Sequence, residues 1–150
     1  MNVKRLLISI VLVLILATCL SSFIQKDLDS SFINTIYTIA GIMFSIGMGI
    51  LCTLNPEKVI NETYYKAIRN NVIDVRNTYL LYFFILSIAY LAYQLEPLFS
   101  FKLGTVGNIS IIFKTSFAAI LINILGVLYF IANFMDIQQL GFDISDRTRE

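Results

Sequence analysis

Residues 32–54 read FINTIYTIAGIMFSIGMGILCTL, a run of 23 side chains without a charge that stops at Asn55-Pro56. As a helix rising about 1.5 Å per residue, such a run is long enough to cross a hydrocarbon core roughly 30 Å thick. Asparagine caps helices and proline is at home in a first helical turn, so the pair marks a new start. The same apolar character recurs on either side. Leu6 to Ile24 is uncharged, Thr78 to Leu95 is apolar and aromatic, and Ile111 to Met135 carries one charge, Lys114, near its beginning. The Lys114 stem can lift its ammonium to the interface. Of all 150 residues 57% are hydrophobic and 14% charged, against about 25% charged in soluble chains. A soluble domain of this length has too little interior for that much apolar surface, which excludes a soluble globular enzyme. The expected fold is all-α: an integral-membrane four-helix bundle forming one polytopic domain over residues 1–150.

Four spans leave both termini on one side. Lys4, Arg5, Lys58, Lys66, Arg69, Arg76, Arg147 and Arg149 lie in the N-terminus, the 55–77 loop or the 136–150 tail, whereas Lys26, Lys102 and Lys114 lie on the opposite face. Basic residues in short loops stay cytoplasmic, so both termini are expected inside. The outer segments, about Gln25 to Ser31 and Glu96 to Ser110, are too short for an independent receptor domain. A folded partner is then met in the cytoplasm. The net charge of +1 supplies no broad basic surface, so direct nucleic-acid binding is not expected.

Lys4-Arg5, the apolar run after it and Ala17-Thr18-Cys19-Leu20 imitate a secretory or lipoprotein signal. Thr18 is large for the position before a lipoprotein cysteine, and the segment is read as a retained first span. Cys19 near the outer end of that span and Cys52 near the inner end of the next lie about 20 Å apart in an antiparallel hairpin, too far for a disulfide. Both are expected as buried small side chains.

Within the second span Gly41, Ser45 and Gly49 are spaced by four, a flat stripe that admits close helix approach in lipid. On the fourth, Thr115, Ala119, Asn123, Gly126, Phe130 and Asn133 share one face. An asparagine in hydrocarbon needs a hydrogen-bond partner, so this face points at protein or at a water-filled path. Gly41, Ser45, Gly49, Asn123 and Gly126 are candidates for an oligomer seam, with pore lining and packing inside one subunit as alternatives. In the third span Tyr79, Tyr82 and Tyr93 read as an aromatic belt, and the deeper Tyr90 needs a partner for its hydroxyl.

In the inner loop Ile60, Tyr64, Ile68, Val72 and Val75 recur at helical spacing after Asn55-Pro56, and Glu62 and Lys66 form an i, i+4 pair. The pattern predicts an amphipathic helix over 55–77, lying on the headgroups of membrane lipid or docking a cytosolic protein. The tail is acidic, with Phe142 as its aromatic anchor; it extends a helix or presents a linear motif. Tyr64, Lys66, Arg69, Arg76 and Phe142 are the candidate partner-binding residues. Histidine is absent, and there is no phosphate loop, zinc spacing, nucleophile elbow or intramembrane carboxylate pair. No catalytic, metal-binding or cofactor-binding residue is expected.

The layout of four spans, inner termini, small outer loops, an amphipathic inner loop and a short polar tail resembles the small membrane subunit of the Kiwa anti-phage defence system. The similarity covers the whole chain as architecture. It implies a homo-oligomer in the bacterial inner membrane that senses phage attachment or membrane disturbance and holds a cytosolic, DNA-binding effector at the membrane. The layout also resembles immunity proteins against pore-forming colicins of the A type, which would place the working residues near Lys26, Asp27, Asp29, Lys102 and Asn108. A small oligomeric ion channel, with the Asn123 face along its path, is a third reading.

Overall fold

Helices α1 (Val3–Phe23) and α2 (Ser30–Thr53) coincide closely with the first two uncharged stretches. They belong to a computed structural model that describes residues 3–24, 28–54, 59, 61–96, 101–106 and 109–147. Asp29 caps α2, its carboxylate accepting from the Ser31 amide at 3.0 Å. Helix α3 (Glu62–Gln94) follows, then strands β1 (Phe101–Val106) and β2 (Ile109–Phe113), and finally α4 (Thr115–Arg147). Three helices, α2, α3 and α4, are long and apolar enough to cross a membrane, and α1 adds a shorter apolar run over Ile8–Phe23.

Two expectations change in the second half of the chain. The inner-loop helix and the third span are one helix of 33 residues, and the fourth span and the tail are another of 33. Each is about 50 Å long at 1.5 Å per residue, some 20 Å more than a hydrocarbon core. The 62–77 segment therefore continues the axis of the apolar stretch as one helix. No glycine or proline interrupts Glu62–Gln94, and at the edge of the apolar stretch the Thr78 hydroxyl bonds back to the Asp74 carbonyl at 2.7 Å. The helix begins later than the sequence pattern suggested. Its cap is Asn61, whose side chain accepts from the amides of Thr63 at 3.0 Å and Tyr64 at 3.4 Å; Asn55-Pro56 and Ile60 lie outside the described residues.

The connection between α3 and α4 contains a β-hairpin, and residues 111–113 belong to it and not to the helix that follows. Phe101 pairs with Phe113 and Val106 with Ile109, antiparallel, with a register shift between Lys102 and Gly104. The hairpin is fastened to the C-terminal end of α1. Ser21 donates its hydroxyl to the Ile112 carbonyl, and the Ile112 amide donates to Ser22 Oγ at 3.2 Å. Glu96, past the end of α3, accepts from the Ser116 amide at 3.3 Å and hydroxyl at 3.0 Å. A carboxylate there meets unpaired amides and the positive end of the helix dipole, which sets where α4 starts.

Helix α4 is central and packs on α1, α2 and α3. The main core joins Ala40 and Leu51 of α2, Tyr79 and Leu86 of α3, and Phe130 and Ile137 of α4. Ala17 of α1 packs on Phe117 and Ala118, and Ile33 and Ile36 of α2 on Ile120. The outward surface is apolar: Ile8, Val11, Leu12, Ile15 and Leu16 of α1 are all more than half exposed. So much exposed aliphatic surface on one helix is stable in hydrocarbon and not in water. Cys19 and Cys52 are free, as their spacing implied, but both are exposed and not buried.

Candidate interaction surfaces

At the end of the molecule away from the hairpin, α3 and α4 outlast α2. A Cβ at Gly141 would meet Leu54, just past the end of α2, at 3.4 Å, so the final turns of α4 run on past the end of α2. Val72 and Val75 of α3 pack against the core that holds Ile137, and Ile144, two turns further out, is 7% exposed. The apolar spacing of the 62–77 segment thus serves helix pairing. Val72 and Val75 face protein, whereas Tyr64 of the same spacing is exposed.

The five predicted partner-binding residues all lie on this projecting pair. Tyr64 and Phe142 are 48% and 64% exposed, large aromatic surfaces at the polar end of the molecule. Lys66 is held by Glu62 at 2.7 Å, one helical turn away. Such an exposed pair contributes little stability, about 0.3–0.5 kcal/mol. Arg69 is exposed, and the exposed Arg76 donates to Asn77 Oδ1 at 3.2 and 3.4 Å. Three acidic residues of α4, Asp136, Asp143 and Asp146, are exposed at the same end.

The residues grouped as one seam in the sequence separate in the fold. Asn123 is 1% exposed and Gly126 is buried beneath Leu86, so neither meets another molecule. The whole face Thr115, Ala119, Asn123, Gly126 and Phe130 is buried inside the subunit, with Asn133 partly so. It is a packing face. The Asn123 side chain donates to the Ala119 carbonyl at 2.8 Å, while its Oδ1, like Thr115 Oγ1, has no partner among the described residues. Gly41 looks inward, its absent Cβ 4.0 Å from Phe83.

Ser45 and Gly49 look outward. They continue a line of exposed small residues along α2, namely Ser31, Thr35, Thr38, Ser45, Gly49 and Cys52, separated by steps of three, four or seven. Thr35, Thr38 and Ser45 each turn the hydroxyl back to a carbonyl of their own helix at 2.8 Å. Nothing lies within 4 Å of a Cβ built on Gly49. The result is a flat helix face whose hydroxyls are already satisfied, suited to close approach by another helix in lipid.

Between the two ends runs a column of aromatic rings that the sequence only partly disclosed. Tyr90 stacks on Tyr37 at 4.1 Å and Phe83 on Phe44 at 4.2 Å; Phe44 then leads to Tyr79 and Phe130, and Tyr129 stacks on Tyr82 at 3.8 Å. Tyr79 is fully buried and donates to the Phe130 carbonyl at 3.1 Å, so it is a core residue and not part of an interfacial belt. The hydroxyl of Tyr90 donates to Asn34 Oδ1 at 2.9 Å and accepts from Gln94 at 2.8 Å.

Of the outer residues considered for toxin binding, Asp29 is the α2 cap and Lys102 is exposed on β1; Lys26, Asp27 and Asn108 lie outside the described residues. Among the described residues no group of three His, Cys, Asp or Glu could hold a metal ion. No protein-family model matches the chain, and no curated protein or solved structure is significantly similar to it.

Proposed function

We propose that the chain is the membrane subunit of a bacterial defence complex of the Kiwa type. On this reading it is a homo-oligomeric, four-span anchor of the inner membrane with both termini in the cytoplasm. It carries no catalytic chemistry of its own and offers the projecting end of α3 and α4 to a cytosolic effector. The observation that carries the reading is the α3–α4 pair, which continues beyond the apolar stretch as packed helix and exposes Tyr64 and Phe142 at its polar end. Aromatic side chains on a rigid helical support are strong anchors for a protein partner. The distribution of Lys and Arg supports a cytoplasmic position for that end. The flat face of α2 supports assembly of several copies. On the other side of the membrane, the hairpin fastened to α1 is the part exposed to an arriving phage or to a disturbed bilayer.

The test is purification of the full-length protein in mild detergent from its native host, with sizing and mass spectrometry of what accompanies it. The wild type is expected as a homo-oligomer bound to one cytosolic protein and protective in a phage plaque assay. Tyr64→Ser with Phe142→Ser should release that protein and abolish protection while leaving insertion and oligomer size intact. A wild-type protein that is free of partners, or a double variant that keeps both partner and protection, refutes the reading.

A further inference from the structure

The projecting helix pair carries opposite charges on its two members. Arg69 and Arg76 of α3 and Asp136 and Asp143 of α4 are all exposed, yet among the described residues no ion pair joins either arginine to either aspartate. The reason is angular. At 100° per residue, Arg69 and Arg76 lie roughly 75° from the line of Val72, Val75 and Tyr79 that faces the core, and Asp136 and Asp143 lie roughly 100° from the line of Ile137 and Ile144. The helices are antiparallel, so both displacements have the same sense when viewed from the end of the pair. The basic flank therefore emerges on one side of the pair and the acidic flank on the other.

Spacing and height match as well. Each charged couple is seven residues apart, about 10.5 Å along its helix. Leu86 over Gly126 and the Tyr79 bond to the Phe130 carbonyl set the antiparallel register: the first puts Arg76 level with Asp136 and Arg69 level with Asp143, and the second differs from it by three residues, about 4.5 Å. A bilayer holds every copy at one depth. Copies placed side by side thus present arginines and aspartates at two heights that agree to within about 5 Å.

We infer that the projecting pairs contact one another around a ring, Arg76 and Arg69 of one copy facing Asp136 and Asp143 of the next. This rests on the proposal above that copies assemble side by side, and it assigns the two arginines to a neighbouring copy and not to the effector, which keeps Tyr64, Lys66 and Phe142. The contact is heterologous, because the flanks lie on opposite sides. A two-fold pair would set like charges together, so the ring has three or more members. Exposed ion pairs add little affinity singly; here they fix the order and angle of helices that the transmembrane faces bring together.

Cysteine cross-linking in native membranes tests it, in a background of Cys19→Ser and Cys52→Ser. The full-length chain with both Arg69→Cys and Asp143→Cys, mildly oxidised, should give a ladder of covalent oligomers ending at the ring size, while Arg69→Cys alone should remain monomeric. Cross-links confined to single chains, or dimers from Arg69→Cys alone, would overturn the arrangement. A charge exchange gives an independent readout. Asp136→Lys with Asp143→Lys should weaken the oligomer on sizing, and adding Arg69→Glu with Arg76→Glu should restore it; failure of restoration in a protein that still inserts also overturns it. Loss of effector capture with the ladder intact would count against the docking proposal and leave the ring standing.

Discussion

Gly126→Ala should destabilise the subunit although it replaces glycine by the best helix former. A Cβ there would overlap the Cδ1, Cδ2 and Cγ atoms of Leu86, and Leu86 is itself 1% exposed in the main core. Three atoms of an enclosed side chain must move together, and a small pocket between Leu86, Gly126, Val13 and Ile122 gives room for part of that shift. Overpacking of this kind costs about 1–3 kcal/mol. Helix propensity returns about 1 kcal/mol, leaving a net loss of up to about 2 kcal/mol. Gly49→Ala has the same propensity gain, and its Cβ meets nothing, so it should leave the isolated subunit as stable or up to about 1 kcal/mol more stable. For a chain of this length each kcal/mol moves the midpoint by about 2–4 °C. Thermal unfolding in detergent, followed by circular dichroism, should therefore separate the two variants by about 2–12 °C. Leu86→Ala added to Gly126→Ala should cost less than the two changes summed, since it removes the obstacle. Equal midpoints for Gly126→Ala and Gly49→Ala, or strict additivity with Leu86→Ala, would refute the packing account.

The remaining predictions concern α3 and the buried asparagine. Spin labels at Lys66 and Tyr90, 24 residues apart, should give a mean distance of about 36 Å if α3 is one straight helix; a much shorter distance in liposomes would mean that the inner segment folds back onto the headgroups. Asn61→Ala removes the acceptor for the Thr63 and Tyr64 amides and should cost about 1 kcal/mol, read as faster amide exchange over Thr63–Lys66 with the transmembrane part unchanged. Uniform exchange along α3 in that variant would show that the cap does not hold the segment. Asn123→Leu keeps the branched shape and removes a buried oxygen that has no partner among the described residues. Stability should be unchanged or higher by up to about 1 kcal/mol, and a marked loss on thermal unfolding would reveal a partner for that oxygen.

What could be read from the sequence was where the apolar helices lie. The absence of charge from Leu6–Ile24 and Phe32–Leu54 located α1 and α2 almost to the residue, because a charge inside a span is costly and its absence is a strong signal. Helix ends were less legible. Hydropathy changes near Arg76 and Asp136, but a helix stops only where a breaker or a competing cap stops it, and neither α3 nor α4 has one there. Asn61 and Asn55 are equally good caps in isolation. The hairpin was hidden differently. Ile109–Phe113 is apolar and adjoins an apolar helix, so a wide hydropathy window merges the two, although Gly107-Asn108 between two apolar runs is a hairpin signal at shorter range. The spacing of Thr115, Ala119, Asn123 and Gly126 showed that this face meets protein. Spacing alone does not say whether that protein is the same chain, and only the position of Leu86 over Gly126 decides it.

The same helices that were hardest to delimit connect the two ends of the molecule. Gln94 at the end of α3 donates to Tyr90, which is bonded to Asn34, and Glu96 just beyond it caps α4 through Ser116. The other ends of α3 and α4 are the projecting pair that bears Tyr64 and Phe142. Between them Phe44, Tyr79 and Phe130 lock α2, α3 and α4 together at ring distances of 5.0 to 6.5 Å. A close-packed interior of this kind shifts between discrete arrangements more readily than it deforms by degrees. A displacement of the hairpin or of α1 therefore has a direct mechanical route to the opposite end, through two uninterrupted helices and the cap that joins them. An anchor needs only the apolar spans. On the proposed reading, helices that continue through the bilayer in register, joined by a cap at one end and packed as a pair toward the other, are what a subunit would need to report on the outer surface as well as to hold a partner beneath it.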